Sequence, residues 1–132
     1  RRVVGEAAGA RGRLIGVGVS MGGIVMANYA ARISDKVLDG TVILSGSFDT
    51  SLTCDFRHSL RVWQPLLVHG LKTTYVSPNT RDLVNRGLDL NAIAACPNVF
   101  SIDRDMVAKY HGYEDVWHYY ADMSVGRVRA DG

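Results

Sequence analysis

The chain has few cysteines, little net charge and no long hydrophobic run, and each scarcity removes a class of protein. Its two cysteines, Cys54 and Cys96, stand far apart, with no Cys-x-x-Cys and no metal-ligand spacing. A disulfide framework is therefore not expected; two free, partly buried thiols in a reducing compartment are. The formal net charge is +2, too small to imply a nucleic-acid partner. Arg1, Arg2, Arg11 and Arg13 are the one basic concentration, and glycine and alanine dilute them, so they read as a solvated helix end and loop. No apolar stretch reaches the length of a membrane span, and no signal peptide is recognisable. The chain opens on Arg1 rather than Met and reads as a piece of something longer. There is no internal repeat and no low-complexity tract. What remains, 132 residues of which 47% are hydrophobic and 21% charged, is the composition of one ordinary globular domain.

The informative stretch is Gly18-Val19-Ser20-Met21-Gly22-Gly23. It follows the apolar run Leu14 to Val19 and opens a second one, Ile24 to Ala31. The order predicts a strand over 13–19, a sharp turn with a serine at its apex, and a helix over 22–33. A continuous apolar strand, rather than an alternating one, fits a parallel sheet covered on both faces. The helix is apolar almost all round, with Asn28 and Arg32 as its polar edge, so it belongs under other structure. Ser34-Asp35-Lys36 closes it. Thr41 to Ser45 predicts a second buried strand, and strand–helix–strand with short joints predicts a parallel βαβ unit with a right-handed crossover.

Beyond Thr50 the character is helical and irregular. Helices are expected over 59–71, with Pro65 awkward inside it, and over 80–95, ended by Pro97. Two shorter ones are expected over 103–110 and 113–121, separated by Gly112. Residues 1–8 could form the tail of a helix that Gly9 to Gly12 breaks.

Strand, Gly-x-Ser-x-Gly, helix and strand together resemble the middle of the α/β-hydrolase fold, in which a helical cap often follows the strand after the serine. Gly18 to Gly23 followed by Asn28-Tyr29 is similar to the elbow and helix of the YheT-like branch of that superfamily. Ser47-Phe48-Asp49 is similar to the branch's Pro-Phe-Asp. Ile102-Asp103, Gly112-Tyr113, Tyr119-Tyr120 and Ser124 are similar to the signature that ends its cap. The likeness runs from about Arg13 to Ser124. Two departures loosen any statement about substrate: Ile24 stands where the branch usually has Asn, and Ser47 where it has Pro. The resemblance implies a bacterial-esterase-like enzyme with eukaryotic relatives acting on acylglycerols and phospholipids. It also implies that the acid and histidine of the triad follow later strands, outside this chain. The fold class expected is therefore α/β, a partial α/β-hydrolase fold: a core βαβ unit over 1–49 and a helical cap-like region over 50–125.

Within that reading Ser20 is the expected nucleophile, carrying the acyl group as a covalent intermediate. The competing role for Ser20 is an ordinary helix cap. Met21 would act through its backbone N–H, at a helix N-terminus, as one donor of the oxyanion hole. Gly18, Gly22 and Gly23 are expected as steric permissions, with Gly18 and Gly22 letting strand and helix approach at the turn. Asp49 is either an acid or, as the resemblance implies, a structural residue at the start of the cap. Asp103, Asp105, Glu114 and Asp115 read as helix N-terminal charges or solvated faces. His58, His69, His111 and His118 all fall in the cap-like region, and none follows a strand as the base should. Tyr113, Trp117, Tyr119 and Tyr120 either line an acyl tunnel or hold the cap together, and their helical spacing favours packing. The function expected is hydrolysis of a carboxylic ester, short- or medium-chain or of acylglycerol or phospholipid type. No cofactor or metal is expected, and the partner is a small-molecule or lipid ester. The alternatives are a non-catalytic binding protein of the same fold, and an acyltransferase or thioesterase. The isolated chain is expected to be inactive and poorly stable.

Overall fold

The computed structural model describes residues 12–33, 37–54 and 59–125. The expectations for residues 1–11, for the helix end at 34–36 and for His58 lie outside the described residues. The chain divides into two compact units: one holds residues up to Thr50 together with those from Ala121, the other is Ser51–Tyr120.

In the first unit β1 (Ile15–Val19) runs into α1 (Met21–Arg32), which leads to β2 (Gly40–Leu44). The two strands pair in parallel, in register from Ile15↔Gly40 to Val19↔Leu44. The mixed α/β character and the strand–helix–strand order are those the apolar runs predict. The connection before β2 is tied at both ends. The Tyr29 hydroxyl accepts a hydrogen bond from the Leu38 N–H at 3.0 Å. Asp39 takes the Leu14 N–H on its carboxylate at 2.7 Å and returns its own N–H to the Leu14 carbonyl at 2.8 Å.

The strand-to-helix approach rests on glycine at particular positions. A Cβ on Gly18 would lie 2.1 Å from the Gly22 carbonyl oxygen, and one on Gly16 would lie 2.9 Å from Met26 Sδ. Gly23 and Gly46 meet backbone to backbone: a Cβ on either would come within 3.0 Å of the other's Cα. Gly22 differs from expectation, because a Cβ there would meet nothing within 4 Å. The close approach is thus made by Gly18 and by the Gly23–Gly46 pair; Gly22 contributes its carbonyl, which no side chain on that residue would disturb.

Among the described residues the sheet is covered on one face, where cover on both was expected. Only Gly23 and Ala27 of α1 are fully buried. On the sheet face away from α1, Ile15, Val17, Val19, Val42 and Leu44 are all 43–62% exposed. The side-chain alternation of a strand places these five on one face, and α1 supplies a layer for the other face alone.

The second unit holds the apolar core: Val68, Leu83, Leu88, Ile93, Cys96, Ile102 and Met106 pack together, with Leu83, Ile93 and Ile102 wholly out of solvent. Cys96 is a free, buried thiol, as the spacing suggested. The expected 59–71 helix is a π-helical turn, Ser59–Trp63, leading into an α-helix, Gln64–Leu71. Pro65 falls in the first positions of that α-helix, where a missing N–H costs least. The widened turn before it relieves the clash with the carbonyl four residues back. The same arrangement recurs before Pro78, which follows the π-helical turn Lys72–Val76.

The single helix expected over 80–95 is two, Thr80–Asn85 and Leu90–Ala95. Gly87 breaks it at φ +76°, a conformation in which glycine is unstrained. Asp89 restarts it by accepting from the Asn91 and Ala92 N–H groups at 2.8 and 3.2 Å. Helical backbone runs from Val99 to Tyr110, earlier in onset than predicted, because Asn98 and Ser101 form a reciprocal capping box. Gly112, also at φ +76°, ends it. The last helix, Val116–Met123, starts in the second unit and delivers the chain back to the first.

The returning residues are stitched to the first unit by side chains. Asn28 donates to the Met123 carbonyl at 2.8 Å, and Arg32 pairs with Asp122 at 2.8 Å. The buried Ser124 hydroxyl accepts from the Thr50 N–H at 2.9 Å, and the Val125 N–H reaches the Phe48 carbonyl at 3.0 Å.

Gly18→Ala should therefore destabilise the first unit by at least about 2 kcal/mol, since the added methyl meets backbone that cannot move aside. Gly22→Ala should be neutral or mildly stabilising. Urea-unfolding midpoints of the two variants in the full-length protein check this; equal midpoints would contradict the close approach of strand and helix at Gly18.

Candidate active site

Ser20 sits at the joint between β1 and α1. A chain leaving a strand and entering a helix within one residue must turn sharply, and here the turn is taken at Ser20 itself, with φ 53° and ψ −121°. A non-glycine residue with that backbone carries strain of ~1–3 kcal/mol. Three hydrogen bonds hold it. The Ser20 N–H donates to the Leu44 carbonyl of β2 at 2.9 Å, and the Ser20 carbonyl accepts from the Gly23 and Ile24 N–H groups at 2.9 and 3.3 Å.

The side chain is exposed and makes no cap hydrogen bond to the helix it precedes. That removes the helix-cap role weighed from sequence: a capping serine uses its hydroxyl on the N–H of the second or third helical residue, and this one does not. Gly23 and Ile24 already give their N–H groups to the Ser20 carbonyl. The N–H groups of Met21 and Gly22 head the helix with no acceptor four residues back. They stand at the positive end of a 12-residue helix. The Met21 side chain is 68% exposed.

Ser45 is a feature that sequence reasoning passed over. It follows β2 directly and is exposed, and its φ is 54°. Ser20 and Ser45 are the only non-glycine residues with positive φ among the described residues. Nothing in the residue type announces this; a glycine or asparagine would have.

Asp49 lies four positions beyond Ser45, in the segment where the Ser47 hydroxyl donates to the Asp49 carbonyl at 2.6 Å. His69, His111 and His118 are exposed members of the second unit. His111 packs edge-on against Tyr110, and His118 against Tyr113. None of the three stands on either strand or on α1. Among the described residues no group of three or more His, Cys, Asp or Glu is placed to hold a metal ion, and no helix is long and apolar enough to cross a membrane.

The carboxylates need one correction. Asp115 does cap a helix, taking the His118 N–H at 2.7 Å, and Asp105 is held below the usual range by its hydrogen bond from Arg104, with Lys109 nearby. Asp103 is not a solvated charge. It is partly buried and accepts the Tyr120 hydroxyl at 2.8 Å. Burial pushes its carboxyl up to about 6, against the opposing effect of that hydrogen bond. Burial, with the Asp103 charge adding to it, also pushes the Tyr119 phenol up to about 12. The aromatic residues around them form one ring cluster. Phe100 packs at a tilt against Trp117 at 5.5 Å and Tyr120 at 6.2 Å, and Tyr119 joins Tyr113 and Tyr120 at 5.3 and 5.5 Å. Tyr120 is buried and Trp117 is 54% exposed, so the cluster is packing at Tyr120 and open surface at Trp117.

Over 119 residues the chain is 27% identical to a curated protein of Caenorhabditis elegans named abhd-3.2. The similarity covers 84% of this chain and 30% of that relative, so the chain spans less than a third of its length. The relative's name denotes an α/β-hydrolase-domain protein, and the likeness points toward that superfamily. No family model matches the chain, and no solved structure matches it.

Asp103 gives a stability prediction. Its carboxyl protonates at about 6 in the folded chain, against an ordinary value of 3.8. The folded state thus holds the proton more tightly. The stability this contributes is fully present below about pH 4 and is lost as pH rises through about 6. The loss is on the order of 3 kcal/mol. Asp103→Asn keeps an acceptor for Tyr120 without the charge, and should abolish this part of the pH dependence. Urea midpoints at pH 4 and pH 7 for wild type and variant check it; equal slopes in the two proteins would contradict it.

Proposed function

We propose that the chain is the nucleophile-bearing part of a serine ester hydrolase of the α/β-hydrolase type, with β1, α1 and β2 in its sheet layer and Ser51–Tyr120 as a helical cap. The observation that carries this is the conformation of Ser20: an exposed serine, at φ 53° between a parallel strand and a helix, whose hydroxyl does not cap that helix. A serine held under strain at such a turn presents its Oγ away from the backbone, which is what a nucleophile needs and a structural serine does not. The similarity to an α/β-hydrolase-domain relative over most of the chain supports the same reading.

In this reading Ser20 Oγ attacks the carbonyl carbon of a carboxylic ester while a base supplied outside this chain takes its proton. The carbonyl oxygen becomes an oxyanion, and the Met21 N–H at the head of α1 donates to it. The tetrahedral intermediate collapses, the C–O bond breaks, and the alcohol leaves with the proton returned by the base. Water then repeats the sequence on the acyl-serine, giving the carboxylic acid and restoring Ser20. The chemistry needs no cofactor. The substrate class suggested by the sequence resemblance is a short- or medium-chain acyl ester or an acylglycerol or phospholipid. The triad's acid and histidine belong to segments following this one.

The test is covalent labelling of the full-length protein with a fluorophosphonate probe. Wild type should take up one label, at Ser20. Ser20→Ala should take up none, keep its circular dichroism, and lose about 10⁴-fold or more of its activity on p-nitrophenyl butyrate. A folded wild type that no probe labels would overturn the enzyme reading in favour of a binding protein with the same fold.

A further inference from the structure

Parallel pairing puts a second serine beside the first. The last pair of the ladder is Val19↔Leu44, and the Ser20 N–H donates to the Leu44 carbonyl at 2.9 Å. Ser45 is covalently joined to that carbonyl, so Ser20 and Ser45 lie side by side just beyond the ladder. Both lie at the carboxyl ends of their strands, the edge at which open α/β sheets bind ligands. Both are exposed, and both take positive φ, at 53° and 54°.

The backbone turn at Ser45 has a structural cause. It brings Gly46 onto Gly23 in the first turn of α1, a contact in which a Cβ on either residue would lie 3.0 Å from the other's Cα. That explains the turn but not the serine. Glycine would make the same turn without strain. A residue that retains a side chain in a left-handed conformation, at the surface, keeps it for what the side chain can do. Here that side chain is a hydroxyl one strand spacing, ~4.8 Å, from the backbone that carries Ser20 Oγ. An ester seated for attack, with its carbonyl carbon ~3 Å from Ser20 Oγ, lies within hydrogen-bond reach of a hydroxyl on the neighbouring strand end.

We propose that Ser45 is a substrate-contacting residue of the Ser20 site, its hydroxyl donating a hydrogen bond to an oxygen of the bound ester on the β2 side. This rests on the reading of Ser20 as a nucleophile. The bond is made to the ester as it binds and persists through attack, so it acts on binding rather than on the chemical step.

The test uses the full-length protein with Ser45→Ala and Ser45→Gly. Alanine removes the hydroxyl and keeps the strain; glycine removes both. For p-nitrophenyl butyrate both should raise KM about tenfold, the worth of one such hydrogen bond, with kcat within about twofold of wild type. Fluorophosphonate should still label Ser20 in each. A structural role alone predicts the opposite split: KM unchanged in both, and a Tm that rises for glycine but not for alanine. Wild type that is labelled at Ser20 while both variants keep KM within twofold would overturn the role of Ser45 and leave that of Ser20 standing. Wild type that is not labelled would overturn both.

Discussion

The first unit depends on one constraint, the reversal of backbone direction at Ser20. A strand advances ~3.3 Å per residue and a helix 1.5 Å, and joining them without a loop forces one residue out of the common conformations. The cost is tolerated because the residue is held from three sides. β2 takes its N–H, α1 gives it two N–H donors, and Gly18 lets the strand lie against the Gly22 carbonyl. Each of these holds only if the others do. The parallel register brings Leu44 alongside, the helix start supplies Gly23 and Ile24, and the absent side chain at position 18 lets both close. Strain of this kind persists only where the surroundings over-determine it, and all the determinants lie within 50 residues of sequence.

That compactness is why this part was legible in the sequence. Two continuous apolar runs, a glycine two residues before the serine and another two after it give strand, turn, helix and strand. The register follows from the short connection that Tyr29 and Asp39 close. The second unit was legible in type but not in boundaries. An apolar periodicity does not reveal the π-helical turn Ser59–Trp63, because that turn buries no residue and so leaves no pattern to read. Gly87 sits among polar residues where a helix could equally have continued, and only its positive φ makes it a break. Asp103 looked like its neighbour Asp105 because the residue that buries it in a hydrogen bond, Tyr120, is 17 positions away. Ser45 was invisible for the opposite reason: its conformation is a consequence of Gly46 meeting Gly23, a contact between segments that sequence alone does not join.

The stretches most specific to the sequence resemblance have structural work in this chain. Asn28 and Tyr29 fasten α1 to Met123 and to the approach to β2. Ser124 ties the returning chain to Thr50. Asp103 and Tyr120 are bonded to one another, and Gly112 stops a helix. These residues have work to do in holding this fold together, and none of it speaks to a substrate. What a hydroxyl or carboxylate is doing elsewhere it is not doing to a ligand; at the carboxyl ends of β1 and β2 the exposed hydroxyls are those of Ser20 and Ser45.

Those outward groups sit on the less self-sufficient half of the molecule. The wholly buried side chains Leu83, Ile93 and Ile102 belong to the helical unit, whereas the two strands leave five apolar residues 43–62% exposed on one face. A two-stranded sheet covered on one side is marginal in water. A strained serine has ~1–3 kcal/mol set against it from the start. The stitches from Asn28, Arg32 and Thr50 to residues 122–124 therefore matter beyond closing the chain. They fix the C-terminal half of α1 and the segment following β2, leaving the first turn of α1 and the ends of both strands as the part of the unit whose exposed polar groups face outward. The rigidity that presents Ser20 is built from glycine contacts and backbone hydrogen bonds, not from an apolar core. Its failure would be felt first at Gly18, where an added methyl would lie 2.1 Å from the Gly22 carbonyl oxygen.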